Sequence, residues 1–187
     1  TDKALKSALD IFWQKGYEGA SLGDLTKAMG INRPSLYTAF GNKEKLFFKA
    51  IELYDQRPYN FFPPALEQKT AFEVAKLLLV GAASSFADKN HPPGCLVVQG
   101  ALSCSEAGAS VKQALIAKRH EGEQALCERF ARAQAMGDLT VNADPAALAR
   151  FLGTILQGMA IQAISGASTE QLLEVAELSL QSFAQNR

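Results

Sequence analysis

The sequence predicts an all-α protein built in two parts, and three observations predict it. Apolar residues recur at helical spacing through every long segment, no segment alternates apolar and polar residues as a half-buried strand does, and no internal repeat appears. The first part is a group of three short helices within residues 1–48. The second is a larger helical unit, residues 49–187, and a fourth helix joins the two.

The first helix carries Leu5, Ala8, Leu9 and Phe12 on one face and ends at Gly16. Ser21 is placed to cap the next one, with Asp24 in its first turn and Leu22, Leu25, Ala28 and Met29 running to Gly30. Gly30-Ile31-Asn32 then makes a tight connection, because glycine gives the turn its backbone freedom and Asn32 accepts hydrogen bonds from the free amides that follow. The third helix starts at Arg33 and Pro34, where a proline loses nothing since its missing N–H would be unpaired anyway. Two short helices around a glycine turn form a helix-turn-helix. Phe40 and Gly41 end it, and Asn42 caps a fourth helix bearing Leu46, Phe47, Ala50, Ile51 and Tyr54.

Pro58, Pro63 and Pro64, with Tyr59, Phe61 and Phe62 among them, predict a break in helical structure. Beyond it the pattern predicts a helix over Thr70 to Lys89, a loop over Asn90-His91-Pro92-Pro93-Gly94, a short helix from Cys95 to Ser103, and a long one from Ala109 to Met136 punctuated by Gly122. Asp144 followed by Pro145 is a strong helix start. That helix carries Leu148, Phe151, Leu152, Ile155, Leu156 and Met159 on one face, with Ala160 and Ile164 on another, leaving too little polar surface for a helix with one solvated side. It is either central to the core or covered by a partner chain. The last helix, Thr169 to Gln185, presents Leu172, Val175, Ala176, Leu180 and Phe183.

Composition narrows the function classes. The chain has 187 residues, 48% apolar and 20% charged, with a net charge of zero, so attraction to a polyanion must come from a local patch. No apolar run approaches the roughly 18 residues of a bilayer span, no secretion signal is evident, and a cytoplasmic protein without membrane partners is expected. The sequence opens at Thr1 without a methionine, so a basic arm ahead of it would be invisible here. Three cysteines do not make a disulfide framework. Cys95 and Cys104, nine residues apart, would face opposite sides of one continuous helix at about 100° per residue. His91 and His120 are the two histidines, and neither they nor the cysteines have zinc-ligand spacing, so no metal or cofactor is expected.

The helix-turn-helix points to DNA, because the second helix of such a pair enters the major groove. In the helix Arg33 to Phe40, Leu36 and Phe40 face inward, four residues apart, which leaves Arg33, Ser35, Tyr37 and Thr38 for contact, with Pro34 fixing the start. The Arg33 fork suits a bidentate pairing with guanine. The hydroxyls of Tyr37 and Thr38 suit phosphate oxygens, while Lys43 and Lys45 sit at a helix start where free amides help to hold a phosphate. From Lys27 to Lys49 there are five cations, Lys27 among them, and a single carboxylate, Glu44.

Residues 4 to 54 resemble the DNA-binding domain of the tetracycline-repressor (TetR) family of bacterial regulators. The resemblance rests on Ala8, Phe12, Gly16 and Tyr17, on Ser21, Leu22 and Leu25, on Gly30-Ile31, and on the run Tyr-x-x-Phe-x-x-Lys-x-x-Leu at Tyr37, Phe40, Lys43 and Leu46. Ala39 departs from it, since the family more often has histidine there. The resemblance implies a ligand-responsive regulator, most often a repressor, whose homodimer binds a palindromic double-stranded operator and is released by a small-molecule effector. It also implies dimerisation through the last two helices, residues 144–187, where Gly153 and Gly158 would allow close helix approach.

The expected ligand contacts are Phe86, Cys95, Val98, Gln99, Leu102, Arg119, His120, Phe151 and Ile155. Cys95 follows Pro93-Gly94 at a helix start, and the segment Gly94 to Val98 is similar to one in family subgroups that include electrophile or oxidant sensors. A redox-sensing regulator acting through Cys95 is therefore an alternative, beside a small buried apolar cysteine. An all-helical enzyme is the rival from another class. Against it stand the lack of a Gly-rich phosphate loop, a nucleophile motif or metal spacing, so no catalytic residue is expected.

Overall fold

The computed structural model describes residues 2–58, 60–102 and 108–185, with the backbone alone at Ala101 and Leu102. Among these residues it holds ten helices and no strand: α1 Asp2–Gly19, α2 Leu22–Met29, α3 Arg33–Phe40, α4 Lys43–Asp55, α5 Phe62–Leu66, α6 Ala71–Phe86, α7 Leu96–Leu102, α8 Ala109–Ala135, α9 Pro145–Ile164 and α10 Thr169–Ala184.

Local chemistry places their starts. Ser21 Oγ accepts from the Asp24 amide at 3.0 Å while the Ser21 amide donates to the Asp24 carboxylate at 3.2 Å, so two otherwise orphaned donors are satisfied at α2. Asn32 Oδ1 accepts from the Ser35 amide at 2.8 Å, and Asn42 Oδ1 from the Lys45 amide at 2.7 Å, fixing the starts of α3 and α4. Asp144 caps α9 in the same way, through the amides of Ala146 and Ala147. Gly30 closes α2 with φ at 67°, a left-handed conformation that suits glycine.

The first helix breaks at Gly16 as expected, where φ is 69° and ψ is 175°, and a short helical stretch beyond the kink carries α1 on to Gly19. Pro63 and Pro64 do not simply interrupt the chain either. They form the first turn of the one-turn helix α5, where a missing N–H costs nothing. Gly122 does not punctuate α8, which is continuous over 27 residues. The expected end of α7 at Ser103, and Cys104, lie outside the described residues.

Two apolar cores form. The first gathers Phe12, Trp13, Tyr17, Leu25, Leu36, Phe40, Leu46, Phe47 and Tyr54 from α1 to α4, together with Leu96 and Val97 of α7 and Val111 and Leu115 of α8. The second gathers Leu78, Leu79, Leu126, Phe130, Leu152 and Phe183 from α6, α8, α9 and α10. Helix α8 is a strut that belongs to both. By length and composition α9 is apolar enough to cross a bilayer, which corrects the expectation that nothing in the chain is. It packs along α8, α6 and α10, with a third of its apolar stretch buried.

Arg129, buried on α8, ties the second core to the connection before α6. Its Nε donates to Leu66 O at 3.2 Å and one terminal nitrogen donates to Gln68 O at 2.7 Å and Lys69 O at 3.0 Å. Replacing it with methionine keeps the apolar stem and strands three carbonyls. The expected loss is about 2–4 kcal/mol, read as a lower urea midpoint with an unchanged slope.

On the surface between α1 and α2, the Lys15 ammonium sits 2.9 Å from the Asp24 carboxylate and, with the Ser21 hydroxyl and amide, holds that carboxyl down to about 2 from its ordinary 3.8. Because the folded value lies below the unfolded one, the stabilisation is complete above 3.8 and is lost as the pH falls through about 2. An NMR titration of Asp24 is expected to show that low midpoint, and Lys15→Ala to raise it.

Candidate DNA-reading face and ligand cavity

Helix α3 divides cleanly. Leu36 and Phe40 are buried against the first core, while Arg33, Pro34, Ser35, Tyr37 and Thr38 are exposed. Tyr37, at 48% exposure, is a large aromatic side chain held out from the surface. The Thr38 hydroxyl donates back to Pro34 O at 3.0 Å, which leaves its lone pairs facing out. Lys27 and Lys45 are exposed on either side of this face.

Lys43 is placed differently from the other cations. Its ammonium lies 4.5 Å from the centre of the Tyr17 ring and is half-buried; burial lowers its pKa, partly offset by Glu18. The lysine of the Tyr-x-x-Phe-x-x-Lys-x-x-Leu run therefore braces α4 against α1. Gly41 makes the turn between α3 and α4 with φ at 85°, and a Cβ there would lie 3.0 Å from Lys45 Cδ.

The larger part contains a cavity of about 500 Å³. Phe61, Phe62 and Phe86 form an aromatic wall, Val97, Val98, Leu126 and Leu156 an aliphatic one, and Gly122 of α8 and Gly153 of α9 border it without side chains. At its inner end the buried Tyr54 hydroxyl donates to Cys95 Sγ at 3.3 Å. Burial, reinforced by the neighbouring thiol, pushes the Tyr54 pKa well above its usual value, so this hydroxyl remains a donor. The Arg57 guanidinium stacks on the Tyr54 ring, 3.2 Å from its centre, and its Nε donates to Tyr54 O at 2.6 Å. Polar groups border the cavity elsewhere: Lys118 paired with Asp55, Glu123 paired with Arg150 at 3.1 Å, Arg119, Glu121 and Gln157.

Of the ligand contacts expected from sequence, Phe86, Cys95, Val98 and Arg119 border this cavity. Gln99, His120, Phe151 and Ile155 do not border it. Gln99 reaches the opposite way, its Nε2 donating to Gln14 O of α1 at 3.3 Å; His120 is exposed, and Phe151 and Ile155 pack against the second core. The Leu102 side chain lies outside the described residues. Sequence reasoning missed Tyr54, Arg57, Phe61, Phe62, Lys118 and Leu156 as lining. The available signal was the cluster of aromatics among the prolines from 58 to 64, which reads as a break yet supplies the aromatic wall.

Comparison with known proteins fits both halves. Residues 4–59 match the family profile described as bacterial regulatory proteins, tetR family, and residues 76–176 match the one described as tetracyclin repressor-like, C-terminal domain. The chain belongs to the TetR family. It is 34% identical over 181 residues to the HTH-type transcriptional repressor ComR of Escherichia coli K12, covering 96% of this chain and 86% of that one. It is 27% identical to the repressor BdcR of the same organism, over 95% and 86% of the two chains. A cysteine mutant of the TetR-family regulator CifR, solved in complex with 26 bp double-strand operator DNA, superposes with a TM-score of 0.92 at 40% identity, covering 97% of this chain and 96% of that one. This TetR-family chain is thus a DNA-binding transcriptional regulator, with α3 as the second helix of its helix-turn-helix.

Proposed function

We propose that the chain is a homodimeric repressor that binds a palindromic operator and is released from it by a small molecule held in the cavity. The observation that carries this reading is the outward face of α3, where Arg33 and Tyr37 stand exposed above a helix anchored by Leu36 and Phe40. Residues 1–48 serve DNA binding, and residues 49–187 serve ligand binding and dimerisation. Arg33 reads a base edge, Ser35, Tyr37 and Thr38 hold phosphates, and Lys27, Lys43 and Lys45 flank them, with Lys45 the freer of the last two. No catalytic role is assigned, and the place of action is the cytoplasm, where a bacterial operator lies.

The dimer forms through α9 and α10. Ile161, Ile164, Leu173, Val175 and Leu178 are exposed on these helices, Leu178 by 65%, and a second copy would cover them. Two heads would then sit about one DNA turn apart, near 34 Å. A ligand that binds more tightly to the arrangement with the wrong spacing shifts the population and frees the DNA. Phe86, Cys95, Val98 and Arg119 keep their role as ligand contacts, joined by Tyr54, Phe61 and Phe62.

The position of Cys95 favours a second reading, in which a reactive effector acts through its thiol, since Sγ lies at the cavity wall within reach of a hydroxyl donor. On that reading Cys95→Ser binds operator normally and no longer responds to an electrophile such as N-ethylmaleimide. A full response in the serine protein rules it out.

The test of the main reading is selection and sequencing of genomic DNA fragments at fixed salt. The native chain is expected to enrich a short palindrome and Tyr37→Ala to lose it, while Lys45→Ala weakens binding to all sequences alike and lowers the salt slope by about 1 for each head. No enrichment by the native chain would sink the operator reading.

A further inference from the structure

Helix α1 of the DNA-binding head meets the cavity wall at Trp13. This ring is 1% exposed and is surrounded by groups from outside its own helix. Tyr54 meets it edge-on at 4.8 Å, the Arg57 guanidinium lies over it at 4.5 Å, and the His91 imidazole stacks on it at 4.5 Å with 21° between planes. Tyr54 and Arg57 border the cavity, and Tyr54 donates to Cys95 of the same wall. His91 opens the turn that ends at Gly94, whose amide donates to O of Phe86, another wall residue, at 2.8 Å.

That turn is also pressed against α9. Gly94 has φ at 77°, and a Cβ there would lie 2.8 Å from Ala160 O and 2.7 Å from Ile164 Cγ1. Four wall groups, Tyr54, Arg57, Phe86 and Cys95, are therefore in contact with Trp13 itself, with its neighbour Tyr54 or with the turn that holds its stacking partner. Close-packed interiors do not yield smoothly, so a ligand that displaces one of these groups repacks the rings around the indole.

We propose that Trp13 is the coupling residue that carries the state of the cavity into the DNA-binding head. The proposal rests on the effector-release reading above. It adds the point of entry: the head feels the ligand through the Tyr54, Arg57 and His91 contacts on one indole of α1.

The experiment uses the full chain with Cys104→Ser and Cys127→Ser, leaving Cys95 as the single thiol, and N-ethylmaleimide as the probe. One adduct is confirmed by mass. Trp13 is the only tryptophan of the chain, so its emission reports on this cluster alone. The adduct is expected to shift Trp13 emission and to weaken binding to the selected operator by about tenfold or more. In Trp13→Phe, which removes no hydrogen bond found among the described residues, unmodified protein is expected to bind operator as before and the adduct to change affinity by no more than about twofold.

Emission that ignores the adduct overturns the proposal without any variant. So does a Trp13→Phe protein released as fully as its parent. A clear emission shift with unchanged operator affinity in the parent supports the contact with Trp13 and removes the effector-release reading instead.

Discussion

The arrangement depends on the burial of Phe47. Its ring meets Phe12 edge-on at 5.0 Å and Tyr17 at 5.2 Å, which fixes α4 across α1, and it fills the space beneath α7 where Gly100 leaves room. Helix α3 packs on α2 and α4, and its outward face is aimed only because Leu36 and Phe40 are held in the same core. The other end of α4, about 20 Å away at 13 residues, delivers Tyr54 to the cavity. One helix thus has an end beside the helix-turn-helix and an end at the cavity, and the aromatic contact between them decides the angle of both.

Much of the head was legible in the sequence because its determinants are local. Ser21, Asn32 and Asn42 cap the helices that follow them, as short polar side chains ahead of an apolar period do, and Asp144 does the same in the larger part. The inward turn of Leu36 and Phe40 follows from a spacing of four. The cavity was only half legible, because its walls come from six helices and the connections between them, and periodicity says which side of a helix is apolar but not which neighbour it meets. Gln99 shows the difficulty: it stands on a helix that borders the cavity, yet it reaches α1. Phe61 and Phe62 show the converse, since prolines that read as an interruption form a turn that holds both rings in the wall.

The two parts do not separate where the functions do. Helix α7 and the first half of α8 bury Leu96, Val97, Val111 and Leu115 with the head, while the second half of α8 buries Leu126 and Phe130 with α9 and α10. A 27-residue helix shared by both cores keeps them mechanically joined, and the Lys118–Asp55 pair adds a polar tie between α8 and the end of α4. A single charge pair that is still about a third open to water contributes little stability alone, so the apolar surface that α8 shares with both cores holds the parts together more strongly than the ion pair does.

Gly122 and Gly153 give the cavity an evolutionary handle. A Cβ at 153 would meet nothing within 4 Å, and one at 122 would touch only the Phe62 ring, at 3.5 Å and beyond. Glycine inside a helix costs about 1 kcal/mol relative to alanine, so adding a side chain at either site strengthens its helix while taking volume from the cavity. Single substitutions can therefore change the size of the cavity without disturbing either core or the face of α3. The cavity can thus be narrowed while the outward face of α3 stays as it is.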